Sequence, residues 1–246
     1  MTPKIVKQKQ RESDMKASPG VRPSKLLIIG AGGLGTEYSW VAEEMNRVAM
    51  NGQQGEPLWE LLGYTDDDPQ KKGQSIRGHV VHGSINEAAL KFAGLEIGFM
   101  VSIGDNRSRE RIKTEAESLG WIPKILIHPS VIVATGAEIG AGSYIAPGVV
   151  VCPGARIGRF AIINTHVSVG HDSTIEDFAQ ICPGARVSGG CLVGKGGFVG
   201  SNACLGPKSV VGERAIVGAN SFVLRSVAPG ATVIGCPAIT VGRAAK

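Results

Sequence analysis

No run of 18 apolar residues occurs anywhere in the 246 positions of this chain, so no segment is long enough to cross a bilayer as a helix. Residues 1–25, MTPKIVKQKQRESDMKASPGVRPSK, contain no aromatic residue and no apolar run of the roughly 7 to 15 residues that a secretory signal requires. The five cysteines, Cys152, Cys182, Cys191, Cys204 and Cys236, include no CxxC pair. An odd number of cysteines in a chain of this length is not the signature of a disulfide framework. Reduced thiols and a cytoplasmic protein are expected.

Net charge is also missing from most of the chain. The formal charge is +5, which would suggest an anionic macromolecular partner if it were spread over a surface. It is not spread. Residues 1–25 hold seven cations (Lys4, Lys7, Lys9, Arg11, Lys16, Arg22, Lys25) and two anions (Glu12, Asp14), leaving 19 of each sign in the remaining 221 residues. The basicity belongs to an expected flexible leader, 1–25, and the rest is neutral; neither nucleic acid nor a membrane is implied as a partner. With 43% hydrophobic and 19% charged residues the chain can bury a core, which excludes wholesale disorder. Its length favours two domains.

The composition changes once. From residue 26 to 128, strand and helix signals alternate: LLIIG (26–30), then GAGGLG (30–35) opening a helix that ends near Gly52. WELLGYT (59–65) and the acidic turn Asp66, Asp67, Asp68, Pro69 come next, followed by HVVHG (79–83), a helix over 85–93, a strand over 96–104 and a charged helix over 106–120. Such alternation predicts a small parallel α/β sheet of Rossmann type. After His128 and Pro129 the period becomes six. Val133, Ile139, Ile145, Val151, Ile157, Ile163, Val169, Ile175, Ile181, Val187, Val193, Val199, Leu205, Val211, Val217 and Val223 are all aliphatic, sixteen in succession. If aliphatics fill about a quarter of positions, that run has a chance on the order of one in billions. Small or modest residues stand two positions earlier and glycine often follows. Six residues make one short strand and one tight corner, and three such units make a triangular coil. Residues 129–246 are therefore expected to form a parallel β-helix with a C-terminal cap, the aliphatics filling its interior and the small residues fitting its corners.

The GAGGLG turn, the DDDP turn, SIGDN (102–106), NTHVSVGHD (164–172) and GCPA near the C-terminus resemble the NeuD/PglD-type sugar O- and N-acetyltransferases. The resemblance covers about residues 25–243 and includes both domains in the family's order. It implies a left-handed β-helix, a homotrimer with acetyl-CoA as co-substrate bound between subunits, no metal, and a Rossmann-like domain that holds a nucleotide sugar.

Acetyl transfer from a thioester to an amine needs a base working near neutral pH. Of the five histidines, His166 and His171 lie well inside the repeats. His171 follows the core residue Val169 and Gly170, a corner position from which a side chain projects outward, and Asp172 is adjacent. A carboxylate there can orient the imidazole and support the imidazolium. By resemblance His171 is the general base and Asp172 its acidic neighbour. Residues 18 apart share a corner, which puts Gly189 one coil beyond His171, where a missing side chain leaves room for a thioester and exposes N–H groups to an oxyanion. By resemblance Gly189, Ser201 and Ala219 contact acetyl-CoA, and Gln180 stands where the family commonly has a second histidine; an amide can hydrogen-bond but carries no proton at neutral pH. Gly32, Gly33, Asp66, Asp67 and Gly104 are implied as the nucleotide-sugar contacts, and a glycine-rich helix start suits phosphate.

The expected reaction is N-acetylation of a nucleotide-activated amino sugar of the UDP-4-amino-4,6-dideoxy type by direct attack. O-acetylation of sialic acid or another glycan is the alternative. Two further readings differ in kind. A zinc hydratase of the γ-carbonic-anhydrase type needs three converging histidines, and His128 lies 38 residues before His166, two places off a two-coil spacing. A non-catalytic sugar-nucleotide-binding scaffold would not need His171.

Overall fold

A computed structural model of the chain describes residues 23–52 and 55–243. The basic leader expected over 1–25 lies, except for its last three positions, outside the described residues. The described residues fall into two compact units, dividing between Pro129 and Ser130.

The first unit contains β1 (Ser24–Ile29), α1 (Gly33–Asn51), β2 (Trp59–Thr65), the small hairpin β3 (Ser75–Ile76) and β4 (His79–Val80), α2 (Ile85–Lys91), β5 (Gly98–Val101), α3 (Asn106–Ser118) and β6 (Ile122–Pro123). Its sheet runs β2-β1-β5-β6, all parallel. Leu26, Leu27, Ile28 and Ile29 are all buried, as expected for a central strand covered on both faces, which reads as an unbroken apolar run instead of alternating. α1 buries Tyr38, Val41 and Ala42, and α3 buries Arg109, Ile112 and Ala116, the three- and four-residue spacing of a single helix face. The strand expected over 96–104 ends at Val101. Beyond it, the Ser102 hydroxyl donates to the carbonyls of Ile29 and Gly30, and Asp105 caps α3 by accepting from the Ser108 amide at 2.7 Å.

The second unit is a parallel β-helix. Each of its three faces stacks six short parallel strands, and through most of its length residue i pairs with i+18, as in Val151↔Val169↔Val187↔Leu205↔Val223. Fifteen of the sixteen repeat aliphatics are buried, and Val133, in the first coil, is half-buried. The last strand, Ile239–Arg243, reverses and runs antiparallel to Ala231–Ile234.

The corners differ from expectation. The small residues two positions before each aliphatic, such as Ala155, Ala161, Ala179 and Ala185, turn inward and are fully buried. Some stitch neighbouring coils: the Ser173 hydroxyl donates to the Ser188 carbonyl at 2.8 Å and accepts from the Cys191 amide at 3.1 Å. The outer corner is formed by a different residue. Every sixth position from Gly136 to Asn220 has a positive φ, fifteen in all, of which eight are not glycine: Phe160, His166, Asp172, Phe178, Asn202, Lys208, Arg214 and Asn220. Six of these eight stand 18 residues after a glycine. A Cβ on Gly142 would come within 2.5 Å of the Phe160 ring, on Gly148 within 2.6 Å of His166 Nδ1, and on Gly154 within 2.5 Å of Asp172 Oδ1. A side chain in this left-handed conformation thus leans back over the preceding coil, which must present no side chain of its own. Phe178 instead stacks on Phe160, ring centroids 5.5 Å apart and planes 8° from parallel.

Candidate active site

His171 and Asp172 form the corner between the strands Ser168–Val169 and Thr174–Ile175. His171 Nδ1 lies 2.9 Å from Asp172 Oδ2, and the two side chains are 71% and 74% exposed. An ionised carboxylate only accepts hydrogen bonds, so Nδ1 is the donor of this pair, and in the neutral ring Nε2 is then the acceptor. The Nε2 edge of the ring lies against Gly189, one coil on: a Cβ there would stand 2.4 Å from Nε2, 2.7 Å from Cε1 and 2.8 Å from Cδ2 of His171. The Gly189 carbonyl accepts from the Lys208 amide and the His171 carbonyl from the Gly190 amide. Among the described residues no acceptor takes the Gly189 N–H, which leaves a free donor on the residue that the imidazole edge approaches.

His171, Asp172 and Gly189 therefore share one corner. Gln180, Ser201 and Ala219 do not reach it within a single chain. Gln180 lies on the face where it pairs with Ile162 and Phe198, and Ser201 and Ala219 are one coil apart at the corner that follows that face. The Gln180 Oε1 is buried and has no hydrogen-bond partner, while its Nε2 approaches Cys182 Sγ at 4.0 Å. His166 occupies the same corner column as Gly148, away from the His171 pair. Burial pushes the Cys182 thiol up to about 11 and raises the Cys191 thiol as well, so neither offers a thiolate nucleophile near neutral pH.

The second group of residues surrounds the C-terminal ends of β1 and β5. β2 lies on one side of β1 and β5 on the other, so the loops after β1 and β5 diverge there and leave the crevice in which parallel α/β sheets bind ligands. Gly30 has φ +111, and a Cβ on it would stand 2.9 Å from Ser102 Oγ; a Cβ on Gly35 would overlap the Gly30 carbonyl. Glycine is thus sterically required at the outer positions of GAGGLG. At Gly32, Gly33 and Gly104 the space around a Cβ is open, and α1 begins at Gly33 with no side-chain cap and no acidic residue in its first turn. Its first N–H groups face outward, the condition for anion binding at a helix start.

The acidic turn divides into two roles. Asp66 accepts from the Ala31 amide at 2.9 Å, the Asp68 amide at 3.0 Å and Lys71 Nζ at 2.9 Å. Burial works against its charge, but these donors, Lys71 foremost, hold the carboxyl below the usual aspartate range. Asp66 therefore braces the glycine loop, whereas Asp67 is exposed. The loop after β5 has a brace that the sequence reading missed. Arg109 is 1% exposed; its guanidinium donates to the carbonyls of Ile103 at 2.7 Å and Gly104 at 3.2 Å and to Asn106 Oδ1 at 2.8 Å. Burial lowers its pKa, though a guanidinium stays charged. The available signal was a cation on the apolar stripe of α3.

Among the described residues no group of three or more His, Cys, Asp or Glu is arranged to hold a metal ion, and no helix is long and apolar enough to cross a membrane.

Comparison with known proteins bears on both units. Residues 25–116 match the family model of the PglD N-terminal domain. A GDP-perosamine N-acetyltransferase of Escherichia coli O157:H7 is 31% identical over 106 residues, 43% of this chain and 47% of that protein; the chain spans about half the length of this curated relative. The acetyltransferase domain of PglB from Neisseria gonorrhoeae FA1090, solved with acetyl coenzyme A, is 32% identical with a TM-score of 0.74, covering 89% of this chain and 100% of that one. PerB from Caulobacter crescentus, solved with CoA and GDP-perosamine, is 30% identical with a TM-score of 0.78, covering 92% and 100%.

Proposed function

Because this chain belongs to the sugar acetyltransferases built on a hexapeptide-repeat left-handed β-helix, the PglD-type family, we propose that it transfers the acetyl group of acetyl-CoA to the amino group of a nucleotide-activated amino sugar. The observation that carries the reading is the His171–Asp172 corner: an exposed, hydrogen-bonded imidazole whose Nε2 lies against the bare backbone of Gly189. Nε2 takes a proton from the sugar amine as its nitrogen attacks the thioester carbonyl. The Gly189 N–H supports the developing oxyanion. When the tetrahedral intermediate collapses, the C–S bond breaks and His171 returns the proton to the CoA thiolate. Asp172 holds the ring in the required tautomer and stabilises the imidazolium between the two transfers. No covalent acyl-enzyme is needed.

Gly32, Gly33, Asp67 and Gly104 line the nucleotide-sugar site, with Asp66 and Arg109 holding its loops. PerB was solved with GDP-perosamine and the Escherichia coli relative is named for it, which favours a sugar nucleotide as the acceptor. Acetyl-CoA lies between β-helices of a homotrimer. The separation of Gln180, Ser201 and Ala219 from the His171 corner supports this reading, in which a second copy brings its own face against that corner and supplies the other wall. Five free cysteines fit a reducing, cytoplasmic setting.

The test follows free thiol release from acetyl-CoA with a panel of 4-amino-4,6-dideoxy sugars carrying UDP, GDP or CMP. Replacement His171→Ala is expected to keep sugar-nucleotide binding and lose turnover by about 100-fold or more, as removal of a general base does. Undiminished turnover in that variant would overturn the assignment.

A further inference from the structure

The orientation of Asp172 is set from the coil beneath it. Asp172 stands in the left-handed region with φ +58; its amide donates to the Pro153 carbonyl at 3.1 Å, and its Oδ2 faces His171 Nδ1. The other carboxylate oxygen, Oδ1, rests 2.5 Å from the point where a Cβ on Gly154 would be. The only side-chain hydrogen bond found for Asp172 among the described residues is the one to His171. One hydrogen bond and one bare backbone surface therefore hold a carboxylate that is 74% exposed.

We infer that Gly154 is a positioning residue for the His171–Asp172 pair: its missing side chain is the seat on which the Asp172 carboxylate turns toward Nδ1. Any Cβ at 154 evicts Oδ1. The side chain must then rotate about its χ1, Oδ2 moves off Nδ1, and the imidazole loses the group that selects its tautomer. The inference rests on the reading of His171 as base, and extends it one coil away to a residue that touches no reactant.

The same corner column supplies its own control. Gly136, one coil earlier, has φ +81 with nothing within 4 Å of its Cβ position, whereas Gly154 has φ +71 and the Asp172 contact. Alanine at either position takes on comparable left-handed strain; only at 154 does it meet the carboxylate.

The experiment compares kcat and KM for Gly136→Ala, Gly154→Ala, Asp172→Ala and the double variant Gly154→Ala/Asp172→Ala in the full chain. Gly136→Ala should keep the wild-type kcat. Gly154→Ala should lower kcat by roughly tenfold to a hundredfold, the scale of a misplacement near 1 Å, with KM for both substrates within about twofold. In the double variant the second change should add nothing to the loss caused by Asp172→Ala, because the group it displaces is gone. An equal effect of Gly136→Ala, a wild-type kcat for Gly154→Ala, or full additivity in the double variant would each overturn the inference. A readout independent of turnover is nitrogen NMR of the His171 ring: one tautomer, protonated at Nδ1, is expected in wild type and Gly136→Ala, and a mixture in Gly154→Ala. If wild type transfers no acetyl group but shows this pattern, the functional reading fails and the positioning role stands. If Gly154→Ala does not fold, the double variant should, since it removes the collision; failure of both would count against the inference.

Discussion

His171 and Asp172 are consecutive residues, yet three coils determine their geometry: Gly154 below the carboxylate, their own corner, and Gly189 above the ring. The pair itself was legible in the sequence because a histidine just past a core aliphatic must sit at a corner. Gly189 was legible through the 18-residue column. Gly154 was not, because its role depends on which way a left-handed side chain leans, and the repeat period carries no such direction. The turn Asp66–Asp67 shows the reverse limit. Two adjacent carboxylates look equivalent as letters, but Asp66 is enclosed by the Ala31 amide, the Asp68 amide and Lys71, while Asp67 faces solvent. A folded pKa below the unfolded value means that Asp66 contributes stability above the unfolded pKa, about 3.9, and that this contribution is lost as pH falls through the lower folded value. Asp66→Asn should therefore melt at a lower temperature than wild type at pH 7, with the gap closing below about pH 4. A gap of the same size at pH 3 would show that the charge plays no part.

Among the elements, β1 and β2 and the hexad strands were the easiest to read, since alternation and unbroken apolar runs follow directly from how strands expose their faces. Residues 96–104 were read as one strand because all but the ends are apolar or small; the Ser102 hydroxyl, by bonding to the carbonyls of Ile29 and Gly30, ends the strand earlier than hydrophobicity suggests. α3 carries the most consequential oversight. Arg109 on its buried stripe ties the helix to the carbonyls of Ile103 and Gly104, and so to the loop after β5. Arg109→Ala should destabilise the first unit by about 3 kcal/mol, combining a cavity with carbonyls left without donors, and should weaken sugar-nucleotide binding. The thermal transition and a binding isotherm check this; a change under about 0.5 kcal/mol would mean that water replaces the guanidinium at little cost.

For the whole molecule, the sequence separated a basic leader from a body with equal numbers of cations and anions, so long-range attraction contributes little to capturing an anionic cofactor. In the proposed reading a surface beyond the single chain supplies what completes the cofactor site. If a neighbouring copy does, specific activity should fall as the protein is diluted through the concentration range in which sedimentation shows subunits separating, while sugar-nucleotide binding by the first unit persists. Activity per chain that stays constant through dissociation would remove the need for a shared site. The reversed strand Ile239–Arg243 acts at this scale as well. A stack of near-identical coils has no intrinsic length, because each rung offers the next the same row of amides and carbonyls, and another molecule's rung would serve as well as its own. On one of the three faces the antiparallel turn-back covers that row with a strand of opposite polarity, so a further parallel rung finds no matching partner there.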